Sequence, residues 1–431
     1  MADFDAIIVG SGCAGSVAAY ELAKAGKSVL VVERGNFAGA KNMTGGRIYT
    51  HSLEKVFPDF RDEAPLERRV SHERISMITD DANFTMDFTS EDMAIEGQES
   101  YTVLRAPFDQ WLAEKAEDAG AEFIYGIAVD DLMKDERGKV CGVVAGEDEI
   151  TAEVVLLCDG VNSLLTEKAV GAKRPPASSI AVGIKQTIEV PASVITDRVL
   201  AMSDEEGAAW LFSGYSTHGT FGGGFVYTNS DSISLGIVAG IGDTMSHGRV
   251  PVYQMLEDLK AHPAVAPLIK DGKVVEHSGH MVPEGGINIM PDLTGDGVLL
   301  AGESAMMCVN LGYQVRGMDY AIAAGSLAGI EAAKALDADD TSKAGLQGYL
   351  DALEGSFVMK DLRQFQKVPA FMEGFGRMFD GYPQMVRDMM NKMFIVDGSP
   401  VQPMKKQMMP IVKGIGFMNL FKDVRGAMKA L

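Results

Sequence analysis

Apolar positions follow two different periods along this chain, and the changes of period mark its elements. Residues 5–10, Asp-Ala-Ile-Ile-Val-Gly, form a short apolar run rich in β-branched residues. Such a run ending in glycine predicts a strand buried on both faces. Val17, Leu22 and Ala23 then follow at helical spacing, closing at Gly26, and a second apolar run from Ser28 to Val32 ends in Glu33. The order is strand, glycine turn, helix, strand, acid. Val154 to Leu157 and Gly297 to Gly302 predict two further buried strands. Residues 176–290 alternate polar and apolar positions, as in Ile233-Ser234-Leu235-Gly236-Ile237-Val238, which predicts an antiparallel sheet. A long small-residue helix is expected to contain Ala321, Ala323, Ala324, Gly325, Ala328 and Gly329, and to pack against a sheet. Met385, Met389 and Met393 repeat every four residues and share one helix face.

The first turn carries the spacing G-x-G-x-x-G at Gly10, Gly12 and Gly15. Gly10 permits the tight turn, Gly12 lets backbone approach a pyrophosphate, and Gly15 lets helix lie close to strand. With Cys13 and Ala14 they form a candidate phosphate cradle at a helix N-terminus. Glu33 lies 18 residues beyond Gly15, where a carboxylate can accept hydrogen bonds from ribose hydroxyls. The start of the fingerprint within ten residues, followed by Glu33-Arg34-Gly35, looks like the FAD-binding class. Val103-Leu104-Arg105 with Phe108-Asp109 and Trp111-Leu112 resembles the R-x-x-F/L-D-x-x-L segment of flavoprotein hydroxylases and reductases, which implies that Arg105 lies near the flavin. The alternative is an ordinary helix capped near Pro107. Asp159-Gly160 after a buried strand resembles the D-G-x-x-S turn of the same class. Gly302-Glu303 stands where that class usually has Gly-Asp, so Glu303 keeps the carboxylate with a longer reach. Gly312, Gly317 and Met318 precede the small-residue helix, whose N-terminus would face the flavin pyrimidine edge.

Composition narrows the field. The chain has 431 residues, 46% hydrophobic, with 39 Lys and Arg against 60 Asp and Glu, for a net charge of −21. That excludes a sequence-independent grip on nucleic acid. No run reaches 18 apolar residues, so no membrane-spanning helix is expected. The acidic start Met1-Ala2-Asp3-Phe4-Asp5 does not suit a signal peptide, so a cytoplasmic location is expected. The four cysteines, Cys13, Cys141, Cys158 and Cys308, are never closer than 17 residues, and residues 309–431 hold none. An iron–sulfur cluster, or any other metal held by this chain, is not expected. Residues 359–431 hold 12 of the 26 methionines, and residues 401–431 carry a local charge of +5. That segment reads as core, as a partner-docking face, or as a peripheral contact with anionic lipid at the inner face of the cytoplasmic membrane. No second dinucleotide fingerprint is present, and no repeat or low-complexity tract.

Gly39-Ala40-Lys41-Asn42-Met43-Thr44-Gly45-Gly46-Arg47, Gly222 to Asn229, Val282-Pro283-Glu284-Gly285-Gly286 and Asn310-Leu311-Gly312 through Val315-Arg316-Gly317-Met318-Asp319 extend the likeness over nearly the whole chain. The sequence resembles the electron-transfer-flavoprotein:quinone oxidoreductase family, in its short FixC-type branch. The resemblance implies an α/β fold: a Rossmann-like FAD-binding domain of the glutathione-reductase and hydroxylase type, an inserted antiparallel-sheet substrate or quinone domain, and a helical C-terminal segment. The expected divisions are 1–75, 101–175 and 291–345 for the FAD domain, 76–100 and 176–290 for the sheet domain, and 346–431 for the Met-rich helices. Gly45 and Gly46 join the cofactor-binding candidates. The resemblance further implies electrons from electron transfer flavoprotein subunits, delivered towards quinone or a separate ferredoxin-like 4Fe–4S subunit in a FixABCX-like complex, with bifurcation left open. No catalytic side chain is named, because electron transfer needs none. A geranylgeranyl-reductase-like enzyme, with Cys308 or Tyr313 as proton donor, and an aromatic hydroxylase are the rival readings.

Overall fold

A computed structural model describes residues 2–42, 46–247 and 250–431. Two compact units form, each from three separate stretches of chain.

The first unit comprises Met1–Glu67, Ile95–Pro176 and His280–Gln366. Its first strand β1 (Phe4–Val9) lies within one residue of the bounds the apolar pattern predicts; helix α1 (Cys13–Lys24) starts four residues before Val17; and strand β2 (Val29–Glu33) again lies within one residue. The helix α2 (Arg105–Asp118) leads to β3 (Glu122–Tyr125). Then come β4 (Asp131–Lys134), β5 (Val140–Ala145), β6 (Asp148–Leu157), β7 (Thr294–Gly295) and β8 (Val298–Leu300). The sheet order is β7-β8-β6-β1-β2-β3, with β5 on β6 and β4 on β5. β8, β6, β1, β2 and β3 run parallel. That matches their near-continuous apolar sequences: Ala6, Ile7, Ile8, Val154, Val155, Leu156 and Leu299 are wholly buried.

The small-residue helix α3 (Met318–Asp337) forms where expected but packs chiefly on α1, touching the sheet at β6. A Cβ on Gly325 would meet the Ala14 carbonyl oxygen at 2.3 Å, and one on Gly329 the Ala18 oxygen at 2.6 Å. The small stripe therefore exists to bring α3 against the backbone of α1.

The second unit comprises Arg68–Ala94, Ala177–Gly279 and Lys367–Leu431. Its sheet runs Lys273–Pro283, Ile180–Glu189, Ser232–Gly240, Gly222–Thr228, Glu206–Gly214, Arg69–Ile78 and Asn83–Phe88. The alternating stretches pair antiparallel as expected, but Glu206–Gly214 lies parallel to Arg69–Ile78. The sheet is therefore mixed, because that neighbour arrives from a distant part of the chain. Gly222 to Gly224 are explained inside the sheet. Cβ atoms there would meet the Val238 oxygen at 2.0 Å, the Phe212 oxygen at 2.7 Å and Leu259 Cδ2 at 2.6 Å.

Arg68 is wholly buried in this unit. Its guanidinium donates to the carbonyls of Asn229 at 2.7 Å, Glu206 and Ala192 at 2.9 Å, and Ser230 at 3.0 Å, and to Thr196 Oγ1 at 2.9 Å. Lysine has three donors on one atom and cannot reproduce this fork. Arg68→Lys is expected to strand at least two buried acceptors at about 1–3 kcal/mol each. A denaturant midpoint unchanged from wild type would show that water or repacking replaces the lost bonds.

The C-terminal helices Gly381–Phe394, Met404–Ile415 and Phe417–Ala430 bury only Tyr382, Pro383, Asp423 and Ala430. The single acid of the basic tail, Asp423, is buried and accepts from Arg377 Nε at 2.6 Å and Tyr382 Oη at 2.7 Å. Arg377 holds the Asp423 carboxyl below its ordinary value. Of the methionine stripe, Met385 and Met389 are half-buried and Met393 is exposed, so it is not a core stripe. No helix among the described residues is long and apolar enough to cross a membrane.

Candidate functional site

The candidate residues of the first unit gather at the C-terminal ends of β1, β6 and β8, where an open parallel sheet places its ligands. Gly10 turns the chain with φ +96°, and a Cβ there would lie 2.5 Å from the Cys158 oxygen. A Cβ on Gly15 would lie 1.9 Å from the Gly10 oxygen. Both glycines are thus demanded by the protein's own backbone. Gly12 differs: the nearest atoms to its Cβ position are Asn42 Nδ2 at 3.5 Å and Arg105 Nη2 at 3.8 Å. Among the described residues no atom forbids a side chain there, and Gly12 caps α1 with no side-chain hydrogen bond. A bare helix N-terminus with no Cβ on its capping residue suits a pyrophosphate.

Glu33 is buried and bonds to the chain's own backbone. Its Oε2 accepts from the Ser11 backbone N–H at 2.9 Å and Ser11 Oγ at 3.1 Å, and its Oε1 from the Gly35 N–H at 2.6 Å. It fastens the glycine turn to the end of β2 and retains lone pairs for a hydroxyl. Arg34 is exposed, and its charge acts on Asp159.

Arg105 opens α2, with Pro107 inside the first turn. It grips Asp109 through Nε and Nη2, each at 2.9 Å. Asp109 is fully buried and also accepts from Asn42 Nδ2 and, at 3.7 Å, from Cys13 Sγ. Burial works against the Arg105 charge, but Asp109 holds its pKa above the ordinary value. Burial pushes the Cys13 thiol up to about 12, so this fingerprint cysteine stays a thiol.

Ser304, the residue after Glu303, binds the Asp159–Gly160 turn. Ser304 Oγ donates to Asp159 Oδ1 at 3.0 Å and accepts from the Gly160 N–H at 3.0 Å. Burial raises the Asp159 carboxyl, opposed by Ser163 and Ser304. Gly160 and Gly302 adopt φ of +81° and +71°. Glu303 is partly exposed, with His280 Nε2 at 3.5 Å from its Oε2. Its charge also raises the pKa of Arg105, placing the two on one electrostatic site.

Gly317 caps α3, and Met318 is buried at its first turn. Arg316 binds Asp319 Oδ2 through Nε at 2.8 Å and Nη2 at 2.6 Å, and Asp361 through Nη1 at 2.8 Å. His51 Nε2 lies 3.1 Å from the same Asp319 oxygen. The charged members of the Arg316-Gly317-Met318-Asp319 motif therefore anchor the helix end rather than face a ligand. Gly312 has φ +83° and donates to Asn310 Oδ1 at 2.9 Å. The Gly46 oxygen accepts from the Val103 N–H at 3.0 Å, while Gly45 lies outside the described residues. Ser11, Asn42 and Ser304 emerge as parts of the site that spacing does not reveal, because each acts across a long stretch of sequence.

The fold and site define a FAD-dependent oxidoreductase. Residues 3–209 match the FAD binding domain family. Residues 368–431 match the ETF-QO/FixC family C-terminal domain. The chain is 52% identical over 420 residues to the FixC protein of Salmonella typhi, covering 97% of each. It is 50% identical over 425 residues to a probable electron transfer flavoprotein-quinone oxidoreductase of Escherichia coli K12, covering 98% of each. The chain belongs to the ETF-QO/FixC family. Among solved structures, a geranylgeranyl bacteriochlorophyll reductase-like protein of Thermoplasma acidophilum superposes with TM-score 0.72 at 18% identity, over 98% of this chain and 99% of its own. The myxobacterial halogenase CndH gives 0.66 at 14%, over 96% and 97%. At such identity these share the fold, which hosts many chemistries.

Proposed function

We propose that this chain is the FAD-bearing relay of a FixABCX-like complex, taking electrons from an electron transfer flavoprotein and passing them towards quinone or a ferredoxin-like subunit. The observation that carries this reading is full-length identity of about half to FixC proteins and to a relative described as a probable electron transfer flavoprotein-quinone oxidoreductase. Bound FAD supplies the redox chemistry. The residues proposed to hold it are Gly10, Gly12, Cys13, Ala14, Gly15, Glu33, Arg34, Gly45, Gly46, Arg105, Asp159, Gly160, Gly302, Glu303, Gly312, Gly317 and Met318. The bare end of α1 binds the pyrophosphate, Glu33 orients a ribose, and the α3 N-terminus presents its dipole to the flavin. The scattered cysteines support placing any iron–sulfur cluster on a separate subunit.

The C-terminal helices are proposed as the docking region for those subunits. Phe394, Val396, Met418, Phe421 and Met428 are 64–81% exposed there, interspersed with lysines. The same mixture supports contact with anionic lipid as a second reading.

An anaerobic visible spectrum tests the relay. NAD(P)H alone is expected to leave the flavin band intact, and addition of the electron transfer flavoprotein to bleach it. Rapid bleaching by NAD(P)H alone would overturn the reading in favour of a hydroxylase or reductase.

A further inference from the structure

The C-terminal end of the second unit contains a groove that the cofactor assignment does not use. It lies between the helices Val368–Glu373 and Phe417–Ala430 and has a volume of about 710 Å³. Gly426 sets the close approach of the two helices. A Cβ there would lie 2.8 Å from Phe371 Cε2, so glycine lets the ring rest against the longer helix. Phe371 packs in turn on Phe375, with ring centroids 4.8 Å apart, and Phe375 meets Tyr382 edge-on at 5.7 Å. Phe371 and Phe375 give the groove an aromatic floor, and Met418 and Phe421 extend its apolar lining.

The charge of this groove is one-sided. Its single acid, Asp423, is buried and already engaged by Arg377 and Tyr382. Lys422, Arg425 and Lys429 also line the groove and are exposed, and among the described residues none of the three forms an ion pair. Their spacing of three and four places them on one helix stripe with Met418. That stripe is apolar at Met418 and cationic from Lys422 to Lys429. On a chain of net charge −21, such a local row of unpaired cations beside an apolar floor complements a molecule that is apolar at one end and anionic at the other. The volume falls within the range of about 300–1,000 Å³ found for small-ligand sites. A bilayer is met by apolar side chains that protrude, whereas a recess between two helices takes in a single chain.

We propose that this groove binds one free fatty carboxylate, with its chain on Phe371 and Phe375 and its head on Lys422, Arg425 and Lys429. The apolar floor takes methylenes out of water, and the cations hold the head through charge-assisted hydrogen bonds. No covalent bond forms or breaks. The inference rests on this groove alone, and not on what reduces the flavin or which subunits the chain meets.

The test titrates the FAD-loaded full chain, carrying carbon-13 in its methionine methyls, with monomeric sodium decanoate. The Met418 methyl resonance, assigned by its loss in Met418→Leu, is expected to shift saturably, and calorimetry to give one decanoate per chain. Octanoate, two methylenes shorter, is expected to bind about tenfold more weakly. The triple variant Lys422→Gln, Arg425→Gln and Lys429→Gln alters only exposed side chains and is expected to weaken decanoate about tenfold. Ala370→Trp keeps every charge but fills one end of the groove, and is expected to weaken it as well. An unmoved Met418 resonance, equal affinity for the two chain lengths, or wild-type affinity in both variants would overturn the proposal. So would a response to phosphatidylglycerol vesicles but not to decanoate, which would assign the surface to a bilayer. Met418 shifts that follow protein concentration instead of decanoate would assign it to a second copy, with the same consequence.

Discussion

Asp109→Ala is expected to destabilise the first unit by about 3–5 kcal/mol, the range seen when one partner of a buried ion pair is removed. Asp109 is wholly buried, and the Arg105 side chain is 13% exposed. Their bidentate bond is charge-assisted at both ends, so truncation leaves a guanidinium without its carboxylate in a poorly solvated place. The loss spreads further, because Asp109 also holds Asn42 and the Cys13 thiol. It therefore joins the start of α2 to the start of α1, and FAD retention is expected to fall with stability. The double variant Arg105→Met with Asp109→Leu separates the causes. It removes both charges at similar volume and is expected to recover most of the stability while leaving FAD binding weak. Denaturant melts of the three proteins check this. An Asp109→Ala midpoint within about 1 kcal/mol of wild type would mean that water or another cation compensates the pair.

Gly15→Ala and Gly12→Ala are expected to differ sharply although the glycines are three residues apart. A methyl at Gly15 would sit 1.9 Å from the Gly10 oxygen and 3.2 Å from Cys158 Cβ. Backbone cannot yield there as a flexible side chain can, so α1 must move away from β1. Its contact with α3 moves too, since Gly325 already abuts the Ala14 carbonyl. Overpacking of this kind costs about 1–3 kcal/mol, and the displaced helix end is expected to lower FAD affinity by more than about 100-fold. At Gly12 the methyl meets no atom of the described residues closer than 3.5 Å. The apoprotein is therefore expected to melt within about 1 kcal/mol of wild type, the cost of alanine where glycine is the better N-cap. Its FAD affinity is still expected to fall, because the methyl occupies the approach to the helix end. Apoprotein melts and FAD titrations of both variants read the two effects separately. Equal apoprotein stability for the pair would refute the tight contact at Gly15. Undiminished affinity in Gly12→Ala would refute the cradle.

These contrasts show where the sequence was informative. The unit from Phe4 to Glu33 was legible because its signals are local: apolar runs, three glycines and an acid within about thirty residues, each tied to a backbone requirement. Family membership was legible from the same kind of evidence, short motifs read in order along the chain. Membership of the small stripe on α3 was legible, but its partner was not. Periodicity says which residues share a face and is silent on whether a sheet or a helix covers it. Gly222 and Gly223 show the same limit, since only the paired strands reveal the carbonyls they must clear.

The apolar pattern and the glycine spacing by themselves marked the first buried strands and the dinucleotide fingerprint, and the cysteine spacing showed no ligand set. The tertiary structure alone decided which charges were paired and which polar groups were buried. Arg105 with Asp109 is a helical pair visible in principle, but its burial is not. Arg68 with Asn229, Ser304 with Asp159, and Glu284 with Asn310 join residues 161, 145 and 26 positions apart. Their partners become neighbours only when the chain has folded, and the cost of burying a polar group depends on that local environment, which no stretch of sequence encodes by itself.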